Sequence, residues 1–195
     1  MGKQKYQQAI GELLAKSPVI SFASLQRLVT GKKKVKGYGK QLVHNLVRQG
    51  KLKPLAKGWY TTHDEASLAV YCFQPAYLGL QDAVSYHGFW EQETIPIILT
   101  TRKVRRGIRK VLGSNVLIRH LDTKYYFGMA PSADRFAVPY SDTEKTLIDM
   151  VYFKQGISPA VQKEFKKKVD QKKLKKYLQP YPLSLRKKVL KMMRY

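Results

Sequence analysis

The hydrophobic positions of this chain change period as it proceeds. Over residues 4–16, Ala9, Ile10, Leu13 and Leu14 recur at helical spacing, and Ser17-Pro18 ends the pattern. Val19-Ile20 reads as a short extended connection. Ser21 is placed to cap a second helix over about 22–29, which would bury Leu25, Leu28 and Val29. GKKKVKGYG, with glycines at 31, 37 and 39, predicts a loop. A third helix follows over 38–49, with Leu42, Val43, Leu46 and Val47 as its apolar stripe and Gly50 as its stop. Its other side is polar. Lys40, His44 and Arg48 lie four apart and stack in one row, with Gln41 and Asn45 beside them.

The stretch RQGKLKPLAKGWYTT (48–62) abandons that period. It alternates and breaks at Ala56-Lys57-Gly58, which predicts two strands joined by a tight turn carrying a lysine. Helix, helix, helix, hairpin is the order of a winged helix-turn-helix with the hairpin as its wing. Such a domain sets its later helix in the major groove of DNA while neighbouring elements touch the backbone. Gln41, Asn45 and Arg48 then offer side chains that can bond base edges in pairs. Lys53 and Lys57 are placed to neutralise phosphates, and Lys33, Lys34, Lys40 and His44 complete the candidate DNA-binding set.

The expected fold is α+β: a winged helix-turn-helix over 1–63, then a mixed α/β domain over 64–195 ending in lysine-rich helices. In that second part EASLAVYCF reads as helical, closed by Gln74-Pro75, and Asp82 to His87 as a short helix ended by Gly88. IPIILTT (95–101), NVLIRHL (115–121), KYYFGM (124–129) and RFAVPY (135–140) predict strands, with the basic run RKVRRGIRK (102–110) between the first two. SDTEKTLIDMVYF (141–153) is the clearest helix. Ser141 and Glu144 form the pattern of a capping box, and Leu147, Ile148, Val151 and Tyr152 form a buried stripe. Two or three basic helices close the chain, with Val161, Phe165, Val169, Leu174 and Leu178 facing inward.

Charge sharpens this picture. The 195 residues carry 37 Lys and Arg against 13 Asp and Glu, a formal net charge of +24. Residues 1–62 contribute net +12, residues 63–150 contribute 0 and residues 151–195 contribute +12. Two basic ends around a neutral middle favour a polyanionic partner. One cysteine, Cys72, excludes an internal disulfide and fits a cytoplasmic protein. The first residues lack the apolar core of a secretory signal, and no apolar run approaches the roughly 20 residues of a membrane span.

Catalytic patterns are sparse. The histidines at 44, 63, 87 and 120 have no metal-ligand spacing, and neither a nucleophile elbow nor a P-loop is present. Asp149 with Glu164-Phe165-Lys166 loosely matches the D…ExK of metal-dependent nucleases, but in a helical context. Asp142 and Glu144 are better read as first-turn acids at the positive end of a helix. The expectation is a protein that is not an enzyme and carries no cofactor or metal. A non-specific RNA- or DNA-binding protein and, behind it, a metal-dependent nuclease are the alternatives.

Five segments carry a resemblance: Gly58-Trp59-Tyr60 after the hairpin, AYLGLQDAVSYHG (76–88), IPIILTT, Phe127-Gly128, and EKTLIDMVY (144–152). Together they resemble the AbiEi antitoxin family over about residues 5–190. The resemblance implies two domains, a winged helix-turn-helix and an α/β domain, in a cytoplasmic repressor of its own operon. It also implies counteraction of a nucleotidyltransferase-like toxin encoded alongside, and double-stranded operator DNA as the principal partner. The antitoxin role would fall to the second domain. Charge alone nominates Arg102, Arg105, Arg106, Lys163, Lys167, Lys172 and Lys176 there as a secondary basic surface.

Overall fold

A computed structural model describes residues 2–30 and 38–194. The expected basic loop with Lys33 and Lys34, and the side chain of Val29, lie outside the described residues. The chain forms two compact units, residues 1–72 with 110–114 and residues 73–109 with 115–195. It is an α+β protein.

The first unit runs α1 (Gly2–Lys16), β1 (Ile20–Ser21), α2 (Phe22–Thr30), α3 (Tyr38–Arg48), β2 (Lys53–Ala56) and β3 (Trp59–Thr61), then a 3-10 helix (Ala66–Phe73). Its strands form an antiparallel sheet in the order β1-β3-β2. Pro54 sits on β2, an edge strand, where its missing N–H costs no ladder bond. Ser21 caps α2 as expected, its hydroxyl accepting from the Ser24 N–H at 3.0 Å. Gly50, at φ +68°, turns the chain out of α3, and the N–H groups of Lys51 and Leu52 return to the Leu46 carbonyl at 2.9 and 3.2 Å. Ile10, Ile20, Leu25, Val43, Leu46 and Leu52 make the core. The Thr61 hydroxyl donates to the Pro18 carbonyl at 2.7 Å and ties the end of β3 to the connection after α1.

The remaining elements, which apart from residues 110–114 belong to the second unit, are β4 (Ala76–Leu78), α4 (Gln81–Tyr86), β5 (Ile97–Thr100), β6 (Gly107–Val111), β7 (Ser114–His120), β8 (Met129–Pro131), β9 (Pro139–Ser141), α5 (Thr143–Tyr152), α6 (Pro159–Lys168), α7 (Gln171–Leu178) and α8 (Leu183–Met193). The sheet is mixed, with strand order β6-β7-β5-β4-β9-β8. β5 pairs in parallel with β7 and antiparallel with β4, and all four of its residues are buried, as a central strand requires.

The structure differs from expectation over KYYFGM and the capping box, and the basic run between the first two strands is itself partly a strand. KYYFGM is not a strand: Asp122 caps a 3-10 turn over Thr123–Tyr125, and β8 begins only at Met129. The aromatic side chains there are used elsewhere. Tyr125 stacks on Tyr181 with ring centres 4.1 Å apart, and Phe127 meets Tyr177 edge-on at 5.2 Å. The run RKVRRGIRK is partly a strand, β6, at the sheet edge, where Ile108 stands 65% exposed and charge discourages further pairing. The capping box is displaced by one residue. Asp142, not Ser141, caps α5 by accepting from the Lys145 N–H at 2.9 Å. The Ser141 hydroxyl bonds that of Thr146 at 2.7 Å. Glu144 accepts from the Asp170 N–H at 2.9 Å and from Lys173 at 2.7 Å, so it anchors the start of α7 instead of its own helix.

The core around α5 contains an ion pair. Lys145 and Asp149, four apart on the helix, are both fully buried. The Lys145 ammonium donates to Asp149 Oδ1 and, at 3.1 Å, to the Tyr181 hydroxyl. Asp149 Oδ2 accepts from the Tyr77 hydroxyl at 2.7 Å. The ammonium also faces the rings of Phe127, Tyr77 and Tyr181 at 5.4, 5.5 and 5.8 Å. Burial pulls Lys145 down from its ordinary pKa and pushes Asp149 up, while their mutual attraction opposes both. Gly128 closes over this pair. Its φ is +71°, and a Cβ there would lie 2.7 Å from Tyr177 Cε2 and 3.0 Å from Lys145 Cβ, so any side chain meets both strain and overlap.

Two predictions follow from these buried charges. Lys145→Ala strands Asp149 in the core and is expected to cost about 3–5 kcal/mol in urea unfolding. Replacing the pair together (Lys145→Met with Asp149→Leu) is expected to cost less, because no charge is left behind. Asp82 behaves differently. It is 9% exposed, and burial pushes its carboxyl up to about 7 against an unfolded value of 3.8. The folded state therefore holds this proton where the unfolded state has lost it, and stability falls as pH rises from about 4 to about 7. Asp82→Asn is expected to raise the melting temperature at pH 8 and to raise it much less at pH 4. Equal effects at both pH values would contradict this assignment.

Candidate nucleic-acid interface

The expected row on α3 is where the sequence puts it. Val43 and Leu46 are buried and Leu42 and Val47 half-buried, so the stripe they form is spent on the core. Lys40, Gln41, His44, Asn45 and Arg48 are all exposed. Gln41 Nε2 donates to Asn45 Oδ1 at 3.2 Å, an i,i+4 bond that holds the two amides together. Gly39 is buried at the start of α3 and packs against α2, where a Cβ would make an ordinary contact 3.7 Å from Gln26 Cγ. No acidic residue occurs between Glu12 and Asp64, so nothing in this part of the sequence opposes the positive charge of the row.

The hairpin is tighter than its sequence pattern indicates. The register shifts between Pro54 and Ala56, Ala56 pairs with Trp59, and Lys57-Gly58 makes the turn. Gly58 takes φ +76°, which suits a hairpin this short. Its carbonyl accepts from the Phe22 N–H at 2.7 Å, so the turn is fastened to the start of α2. Lys57 is exposed at the turn. Lys53 is otherwise engaged: its ammonium reaches Asp64 Oδ1 at 2.6 Å, from the first residue of β2 and away from the turn.

The secondary basic set is distributed over the second unit. Arg105 and Arg106 are exposed and, with Ile108 and Arg109, line an open depression of about 640 Å³ at the sheet edge. Arg102 is exposed just before it. Lys163 and Lys167 are exposed on α6, where Lys167 pairs with Glu164 at 2.7 Å, and Lys172 and Lys176 are exposed on α7. Three elements thus carry them, and no single motif gathers the set.

The carboxylates of the nuclease alternative are committed to structure. Asp149 is fully buried with both oxygens accepting hydrogen bonds, and Glu164 lies on α6 in its pair with Lys167. Among the described residues no group of three His, Cys, Asp or Glu could hold a metal ion.

The sequence pattern did not single out a cluster around α4. Asp82 Oδ2 accepts from the Ile97 N–H at 3.1 Å, and Oδ1 faces the Tyr140 hydroxyl at 3.5 Å. Tyr86 stacks on Tyr140 with ring centres 4.1 Å apart and planes 6° from parallel. His87, which ends α4, bonds the Ser141 carbonyl through Nε2 at 2.8 Å, and burial lowers its pKa. The histidine of the sequence motif thus joins α4 to β9.

No helix among the described residues is long and apolar enough to cross a membrane. No family model matches the chain, and no curated protein matches it. Among solved structures it is similar to the crystal structure of the RV2827C protein from Mycobacterium tuberculosis, at 14% identity and a TM-score of 0.63, over 96% of this chain and 76% of that one. At that identity the likeness concerns the fold alone.

Proposed function

We propose that this chain is a sequence-specific repressor that binds double-stranded DNA, with its first unit acting as a winged helix-turn-helix. The observation that carries the reading is the exposed row Lys40, Gln41, His44, Asn45 and Arg48 on α3, opposite a buried apolar stripe. It supplies the amides and guanidinium that bond base edges in pairs. The element order α1-β1-α2-α3-β2-β3 and the sheet order β1-β3-β2 support the reading, since a winged helix has that arrangement. In it, Lys57 is the wing contact to phosphate, and Lys53, held by Asp64, contributes less than its place in the sequence suggests.

The further step, to the antitoxin of an AbiE-type pair that represses its own operon, rests on the resemblance of Gly58-Trp59-Tyr60, AYLGLQDAVSYHG and EKTLIDMVY. Its partner would be a nucleotidyltransferase-like toxin encoded beside it. The structure gives those segments a physical role: the glycine turns the hairpin, His87 joins α4 to β9, and Lys145 and Asp149 form the buried pair.

Titration of the chain's own promoter and of a scrambled duplex at two salt concentrations tests the reading. Promoter affinity is expected to exceed that for scrambled DNA at the higher salt, and each neutralised phosphate adds roughly 0.9 to the log–log salt slope. Asn45→Ala and Arg48→Ala are expected to lose about 1–3 kcal/mol on the promoter with little change on scrambled DNA. Lys57→Ala is expected to weaken both duplexes alike, and Lys53→Ala to weaken them less than Lys57→Ala. Equal affinity for the two duplexes at high salt contradicts a specific repressor and favours the non-specific binder suggested by the lysines of α6 and α7.

A further inference from the structure

The second unit contains a cavity of opposite character to the rest of the chain. It measures about 480 Å³, and Asp82, Glu91, Glu93, Tyr86, Trp90 and Tyr140 supply its charged and aromatic lining. Among the described residues no lysine or arginine lines it, in a chain of net charge +24. Asp82 is the most buried of these side chains, at 9% exposure. One of its oxygens is occupied by the Ile97 N–H, and the other has a long 3.5 Å contact with the Tyr140 hydroxyl. A hydrogen bond of that length is weak, so this oxygen retains capacity to accept. Tyr86 covers one face of its ring with Tyr140 and is 44% exposed. Trp90 lines this cavity and also a second one of about 390 Å³, whose other walls include Val84, Met150, Ile157 and Val161.

These features select a ligand class. A carboxylate held nine-tenths out of water beside an electron-rich aromatic face attracts cations and repels anions. The aromatic faces of Tyr86 and Trp90 beside the carboxylate favour an organic cation. The rings of Tyr86, Trp90 and Tyr140 offer apolar contact to a hydrocarbon portion. We propose that this cavity binds an organic cation, a guanidinium or primary amine, with its charge against Asp82 and its apolar part along Tyr86 and Trp90. The proposal stands apart from DNA binding. The strongly positive net charge of the chain works against cation uptake elsewhere, so saturable binding of a cation reports this site.

Isothermal titration of the full chain at pH 8 tests it, with arginine amide as the probe and acetate as the anionic control. A second arm uses a glycine-serine peptide with one central arginine. Arginine amide is expected to saturate a single site and acetate to give no binding heat. Asp82→Asn and Tyr86→Ala are each expected to weaken binding at least about tenfold. Asp82→Asn removes a buried charge and is expected to keep the fold, so its loss of binding cannot be laid to unfolding. Tighter binding of the peptide than of the amide marks an arginine side chain of a partner as the occupant, and weaker binding marks a small free cation; either supports the site. No saturation by either probe, or an affinity unchanged by Asp82→Asn, overturns the proposal.

Discussion

The buried pair of Lys145 and Asp149 constrains the second unit more than any other interaction in it. Two opposite charges without solvent are tolerated only when every remaining donor and acceptor is served. Here the serving groups come from far along the chain: Tyr77 on β4, Tyr181 ahead of α8, and the rings of Phe127 and Tyr77 around the ammonium. A displacement of β4, of the Phe127-Gly128 turn or of the loop before α8 leaves a charge unpaired. A hydrophobic core of the same volume would tolerate sliding, whereas this one fixes the register of three segments against α5. Gly128 belongs to the same constraint, because only a residue without Cβ fits between Tyr177 and Lys145 at its backbone angles.

A second shell of charge extends the constraint outward. Lys173 reaches both Asp142 at 3.1 Å and Glu144 at 2.7 Å, the Tyr177 hydroxyl donates to Asp142 at 3.0 Å, and Glu144 receives the Asp170 N–H. The acids at the start of α5 therefore hold α7 in place, and α7 in turn leaves Lys172 and Lys176 exposed. The lysine-bearing α7 is thus fastened to the helix that carries the buried pair. In the first unit the logic is simpler. Its core holds no buried charge among the described residues, and its polar side chains on α3 are free of carboxylate neighbours in sequence.

Much of the first unit was legible in the sequence. Its helices follow from 3.6-residue periodicity, and the side chains that set α3 apart are those its pattern leaves outside. The second unit was legible in its long elements and obscure in its short ones. KYYFGM has the composition of a strand, yet its aromatics pack on Tyr177 and Tyr181, some fifty residues later, which no local pattern reveals. The capping box failed because Glu144 found a distant partner in Asp170 and Lys173. Lys145 and Asp149 look like ordinary surface positions of an amphipathic helix. Only the tertiary placement of two tyrosine hydroxyls makes them interior. The pairing of Lys53 with Asp64 left no mark in the hairpin pattern, because Asp64 lies past its end. The Asp82 cavity joins α4, β9 and the loop between Phe89 and Pro96, so the segment AYLGLQDAVSYHG supplied only part of it.

The central claim is that α3 with its neighbouring turn, and not the lysine-rich helices, makes the specific contact with DNA. Hydrogen–deuterium exchange of the full chain, alone and bound to its promoter duplex, tests this most directly. The account predicts that added protection concentrates in residues 38–48 and at the 56–58 turn. Protection confined to residues 159–194, with 38–48 exchanging as in the free protein, would contradict it.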